Sequence, residues 1–336
     1  MRVLLPWVLL AMLCVPAAAE DDWMTPGTHK RTLINDMVER TFWVHVPKGF
    51  TRGKPVPMVI ALHGMSMNGR QMEILTRFSA LGDDKGFAAV YPDAYHGMWD
   101  YYRAQAEPWT PKERGGGLDL DFLPAMIDEL VDAGLADPTR VYMTGVSNGG
   151  FMTNRMAMDI PERLAAVASV CGTLMGKCAL QEKVRGTIPV MHMHGTADHF
   201  VQYGSLDGKR IEGQDLGAED LAYFWADKNG CNPKPEEETI LEKAKDGTKV
   251  ERRTYSGGKD GTVVILYRIR GGGHTWPGIP SLADAVLGAS SKNLDASATI
   301  WEFFSRFTRK VEDPWKKDGP EKKQEDPEKK PEPEKK

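Results

Sequence analysis

Ser147 stands in Gly145-Val146-Ser147-Asn148-Gly149-Gly150, directly after the short apolar run Arg140–Thr144 and before Phe151-Met152-Thr153. A serine hydroxyl is a weak nucleophile and must stand clear of the backbone, where a base can take its proton. A sharp strand-to-helix turn gives it that exposure. The turn is crowded, so Gly145 and Gly149 remove side chains that would collide. The helix start then aims backbone N–H groups at the reacting oxygen. The spelling therefore predicts an activated serine, and such a centre also needs a base, an orienting acid and a second oxyanion donor.

Downstream of Ser147 the histidines are His192, His194, His199 and His274. His274 lies in Gly271-Gly272-Gly273-His274-Thr275-Trp276-Pro277-Gly278, directly after the last apolar run, Val263–Ile269. A glycine-flanked histidine at a strand's carboxyl end is placed to take the Ser147 proton and return it to a leaving group. The acid belongs after the preceding strand, in His194-Gly195-Thr196-Ala197-Asp198. Asp198 is the expected orienting carboxylate, ahead of Asp207 and Asp215. His194 and His199 flank that turn and read as structural or pocket-edge groups. The expected oxyanion donors are the N–H groups of Asn148 and of Met65 in His63-Gly64-Met65, with His63 shaping the loop.

These residues need a sheet to hold them. Arg40–Val46 alternates as a strand, and Val56–Leu62 is a nearly continuous apolar run of the kind buried in parallel sheets. Gly86–Tyr91, Leu164–Val170 and Ile188–His192 read as further strands, and Thr239–Tyr255 as strand-turn-strand. Between them, Met72–Leu81, Leu120–Leu135, Phe151–Met158, Asp220–Lys228 and Ala296–Phe307 read as helices. The alternation predicts the α/β class: an α/β-hydrolase fold with a mostly parallel central sheet and helices on both faces. Asp21–Lys30 reads as a loose polar arm. Pro92–Gly117 is irregular and aromatic. Trp99, Trp276 and Tyr95 are the leading candidates for a substrate-binding wall among Tyr91, Tyr101 and Tyr102. Asp119 and Asp121 read as helix-start charges.

The chain has 336 residues, a net charge of −4 and 41% hydrophobic residues. That supports a real core and gives no sign of nucleic-acid binding. Arg2, the apolar Val3–Val15 and Ala17-Ala18-Ala19 read as a signal peptide over residues 1–19, cut after Ala19. The protein is therefore expected to be secreted or periplasmic, with no membrane span. A catalytic domain is expected over 20–312. The Lys, Glu and Pro-rich stretch 313–336 lacks the apolar surface to fold and reads as a disordered tail, or a surface tether. Past the leader, Cys171, Cys178 and Cys231 leave three readings open: a Cys171–Cys178 bridge, a Cys178–Cys231 bridge, or buried free thiols. His192-x-His194 has no cluster to complete a metal site, and no P-loop or dinucleotide fingerprint appears, so no metal or cofactor is expected.

Taken together, Leu62-His63-Gly64, Tyr91-Pro92-Asp93, the Arg140–Gly150 elbow, His194–Asp198 and Gly272–Gly278 resemble the secreted esterases of the polyhydroxybutyrate depolymerase and feruloyl esterase type. Asn229-Gly230-Cys231 and Trp301-Glu302-Phe303-Phe304 belong to the same likeness, which runs from about Thr41 to Phe307. The resemblance implies cofactor-free hydrolysis of carboxylic esters with Ser147, Asp198 and His274 as triad. Its substrates would be feruloyl or acetyl esters of carbohydrates, or hydroxyalkanoate oligomers. Where relatives often carry a partner for the cysteine of Asn229-Gly230-Cys231, this chain has Tyr255-Ser256-Gly257-Gly258. No appended polymer-binding domain is seen, which favours soluble or oligomeric esters. A serine peptidase on the same fold is the second reading, and a non-catalytic surface-binding protein the third.

Overall fold

The structure is a computed structural model and describes residues 22–101, 118–181, 183–204, 215–241, 244–280 and 284–310. The expected leader over 1–19 and the tail over 313–336 lie outside these residues, as do Tyr102 and Asp207. One ten-stranded sheet forms the frame. Its strands are β1 (Gly27–Asn35), β2 (Val38–Val46), β3 (Val56–Leu62), β4 (Ala88–Pro92) and β5 (Ala136–Val146). They continue with β6 (Ala166–Val170), β7 (Val190–Gly195), β8 (Glu236–Leu241), β9 (Lys249–Tyr255) and β10 (Val264–Arg270). The spatial order is β1-β2-β4-β3-β5-β6-β7-β10-β9-β8. The central strands from β4 to β10 run parallel, and the pairs at both edges are antiparallel.

The helices are α1 (Gly69–Thr76), α2 (Phe78–Lys85), α3 (Leu118–Asp132) and α4 (Asn148–Asp159). After them come α5 (Gly176–Gln181), α6 (Ala218–Asn229), α7 (Asp284–Leu287) and α8 (Ala296–Phe304). The continuous apolar run of β3 is buried from Pro57 to Leu62 because both its faces are covered. Alternate side chains go to opposite cores. Met58, Ile60 and Leu62 pack with Phe122 of α3, Met152 of α4 and Trp225 of α6. Val59 and Ala61 pack with Met72, Phe78, Ile300 and Phe303 of α1, α2 and α8. A one-residue slip of β3 would exchange the two sets, so burial fixes its register.

Three sequence expectations change. Residues expected in a loose arm enter β1, which pairs with β2 from Gly27↔Val46 to Asn35↔Val38. Edge pairing rests on backbone hydrogen bonds, which a polar side-chain pattern does not report. The helix expected over Met72–Leu81 is two helices, broken where Arg77 adopts φ 55° and ψ 23°. No glycine or proline marks that break; the Ser297 hydroxyl on α8 donates to the Thr76 carbonyl there. β7 continues past His192 to Gly195, so His194 sits inside the strand and not at its turn. Cys171, Cys178 and Cys231 are free thiols, so neither bridge is present. No helix among the described residues is long and apolar enough to cross a membrane.

Candidate active site

Ser147, Asp198 and His274 follow β5, β7 and β10, at the carboxyl edge of the parallel strands. Ser147 has φ 55° and ψ −122°, outside the regions an ordinary side chain prefers. The surrounding chain enforces this. Its N–H donates to the Val170 carbonyl at 2.9 Å, and its carbonyl accepts from Gly150 and Phe151. A Cβ on Gly145 would overlap the Gly149 carbonyl, and one on Gly149 would overlap the Leu62 carbonyl. Packing of α4 back onto the end of β5 therefore demands glycine at 145, and packing of the elbow against β3 demands it at 149.

Asp198 is saturated with donors. Its Oδ2 accepts from His274 Nδ1 at 2.7 Å and lies 3.4 Å from His194 Nε2. Its Oδ1 accepts from the N–H groups of Phe200 and Val201, each at 2.9 Å. Burial alone would raise its pKa. The hydrogen bonds from His194 and His274, with the His274 charge, outweigh burial and hold the carboxyl far below its usual range. Asp198 is an anion, His274 carries its hydrogen on Nδ1, and Nε2 is left to exchange a proton.

Cys171 follows Val170, the residue that anchors Ser147. Its Sγ lies 3.5 Å from the Thr275 carbonyl and 3.9 Å from that of Gly273, on both sides of His274. Cys171, Asp198 and His274 bring one sulfur, one oxygen and one nitrogen within 4.8 Å of one another among the described residues. The oxygen and nitrogen are already bonded to each other, and burial pushes the Cys171 thiol up so that it stays protonated. The set reads as a hydrogen-bonded cluster before it reads as a metal site.

Residues 41–201 match the family described as esterase PHB depolymerase. NocK of Nocardia uniformis subsp. tsuyamanensis, named as an esterase, is 31% identical over 278 residues, covering 79% of this chain and 78% of NocK. The chain belongs to the esterase PHB depolymerase family. It is thus a carboxylic ester hydrolase. Feruloyl esterase B of Piromyces equi is 27% identical over 240 residues, or 69% of this chain but 42% of that protein. Among solved structures, an acetyl xylan esterase from Aspergillus awamori superimposes with a TM-score of 0.58 at 18% identity, over 83% of this chain and 99% of that one. That likeness shows the α/β-hydrolase fold.

The opposite side of Ser147 in this esterase is built around Trp99. Its indole Nε1 donates to the His63 carbonyl at 2.9 Å. Its backbone N–H donates to Asn148 Oδ1 at 2.7 Å, and Asn148 Nδ2 donates to its carbonyl at 3.2 Å. Trp99 thus ties the loop after β3 to the residue after Ser147. His63 accepts from the Ala94 N–H at Nε2, 3.0 Å, and donates from Nδ1 to the Gly64 carbonyl, 2.7 Å. Burial lowers its pKa, so it is a neutral strut. The N–H groups of Met65 and Asn148 donate to no acceptor among the described residues. Asp119 does more than start a helix: its carboxylate, paired with Arg40, accepts from the N–H groups of Tyr95 and Asp100 and pins the Trp99 segment.

The aromatic wall expected from the sequence is placed differently. Trp99 is 1% exposed and Trp276 2% exposed. Trp276 donates from Nε1 to Ser297 Oγ at 3.0 Å and meets Phe78 edge-on, inside the α8 core. Neither ring presents an open face; both are packing residues. Tyr95 is partly buried, with the Arg40 guanidinium 5.8 Å from its ring. The exposed apolar groups near the site are Met65, Met98 and Phe200, and the Phe200 ring lies 5.4 Å from that of His274. Sequence reading passed over Met98 and Phe200. Neither stands in a pattern that tells an exposed apolar side chain from a buried one.

Proposed function

We propose that this esterase works through an acyl-enzyme on Ser147, with His274 as base and Asp198 as its orienting acid. The observation that carries the reading is the 2.7 Å bond from His274 Nδ1 to a buried, ionised Asp198; the serine held at φ 55° at the end of β5 supports it. His274 Nε2 takes the Ser147 proton as Oγ attacks the ester carbonyl. The N–H groups of Met65 and Asn148 hold the oxyanion. The proton then passes to the leaving alcohol, and water repeats the sequence to release the acid.

The substrates in this reading are feruloyl or acetyl esters of carbohydrates, or hydroxyalkanoate oligomers. The exposed Met65, Met98 and Phe200 support an apolar acyl or aryl group at the mouth. The leader read at 1–19 supports export to the periplasm or outside the cell. The test is labelling by a fluorophosphonate together with turnover of methyl ferulate, acetylated xylan and hydroxybutyrate oligomers. Wild type should label at a single serine. Ser147→Ala should lose both labelling and turnover, a drop of about 10⁴-fold or more, with its melting temperature kept. A Ser147→Ala chain that still labels overturns the reading.

A further inference from the structure

Behind Asp198 runs a line of buried polar groups that the reaction above does not use. His194 Nε2 lies 2.8 Å from the Val201 carbonyl oxygen and 3.4 Å from Asp198 Oδ2. His194 Nδ1 is 3.0 Å from His192 Nε2, and His192 Nδ1 is 2.8 Å from Ser169 Oγ. Ser169, His192 and His194 are all buried. The hydrogens follow from the partners. Both neighbours of His194 Nε2 are acceptors, so that nitrogen carries a hydrogen. With His194 accepting at Nδ1, His192 is the donor from Nε2. His192 in turn accepts at Nδ1 from the Ser169 hydroxyl. Burial disfavours charge on His192 and keeps it neutral. Each bond in the line therefore points its donor towards Asp198.

We infer that Ser169, His192 and His194 form a one-way hydrogen-bond line that positions the Asp198 carboxylate for His274; this rests on the triad reading above. The line ends on the Val201 carbonyl, and Oδ2, the oxygen that holds His274, lies 3.4 Å from the same His194 nitrogen, while the backbone occupies Oδ1. It therefore sets how strongly that oxygen pulls on the His274 hydrogen. Other charged and titratable groups are accounted for. His194 also faces the Tyr203 ring at 5.7 Å, whose hydroxyl is bonded to Arg268 and Glu219. Arg268 is itself paired with Glu219 and Glu251. Among the described residues, Asp198 further faces the protonated Cys171 thiol.

Two amides separate positioning from mere packing. The Gln side chain places a donor near Nε2 of the histidine it replaces, and Asn places one near Nδ1. His194→Asn removes the donor that lies 2.8 Å from the Val201 carbonyl and 3.4 Å from Asp198 Oδ2. The carboxylate, with one donor fewer, then stabilises the His274 imidazolium more, so the acid limb of kcat moves to higher pH. We expect a shift of about half a pH unit and a fall in kcat of roughly tenfold, with KM unchanged. His194→Gln should restore both the limb and most of kcat. If His194→Asn does not fold, His194→Phe takes its place as the loss variant. A folded loss variant with an unmoved limb, or a Gln variant no better than it, overturns the positioning role. Asp198→Asn is run alongside: if it stays active, the triad reading itself has failed, whereas an inactive Asp198→Asn confines the failure to this inference.

Discussion

The two sides of Ser147 are held by different physics. On the His274 side the groups are buried and bonded to saturation: Asp198 meets two histidines and two backbone N–H groups. On the Met65 side the framework is equally fixed, through Trp99, but what faces outward is apolar and open. Met65 is 61% exposed and Met98 38% exposed. A buried carboxylate tolerates little error, because an unpaired charge or donor in low dielectric is costly. An exposed thioether costs little to change. In the function proposed above, the first side fixes the reaction and the second sorts its substrates.

The sharpest way to break that contrast is Asp198→Asn. An amide cannot hold His274 in the same tautomer, and kcat should fall by about 10⁴-fold while KM holds. A loss below about tenfold would mean that the buried side is scaffolding. Asn148→Ala probes the junction of the two sides. It removes both side-chain bonds to Trp99, leaves the Asn148 N–H in place, and should lower kcat by roughly tenfold without changing acyl-chain preference. A changed preference instead would place Asn148 on the substrate side.

Buried neutral histidines make the interior sensitive to acid, although the rim is not. His63 and His192 both have pKa values lowered from 6.5, in each case first by burial. The unfolded chain takes up protons below its ordinary value that the folded chain refuses. Stability is thus fully present above about pH 6.5 and lost as pH falls below it, by up to about 1.4 kcal/mol per pH unit for each group. Urea unfolding at pH 7 and pH 5 measures this, and equal midpoints would contradict it. The depressed pKa of Asp198 acts lower, below the ordinary carboxylate value. The smallest effect is expected at Phe200→Ala: KM for aryl esters should rise a few fold, with kcat and melting temperature kept. A collapse of kcat with KM unchanged would move Phe200 to the buried side.

Much of the site was legible because strand-end chemistry is written locally. The Gly145–Gly149 spacing already encodes a turn that admits no Cβ, and the glycines before His274 mark a loop after the last strand. The role of Trp99 was not legible. An aromatic residue in an irregular stretch reads the same whether it lines a pocket or bonds a carbonyl 36 positions away. His192 and His194 read as alternate residues near a turn, and only the extent of β7 places both of them inside the sheet. The break at Arg77 carried no glycine or proline to announce it.

By itself the sequence determined the parallel sheet, the elbow at Ser147 and the order Ser147, Asp198, His274. Apolar runs, turn glycines and their succession are local properties, and packing rules leave few ways to assemble them. Only the tertiary structure decided which aromatic rings are buried and which donors converge on Asp198. It also decided that Trp99 joins the two loops beside the serine. Those outcomes depend on contacts between residues far apart in the chain, and burial changes both the energy and the protonation of each group. Side-chain type alone does not say which of them will meet.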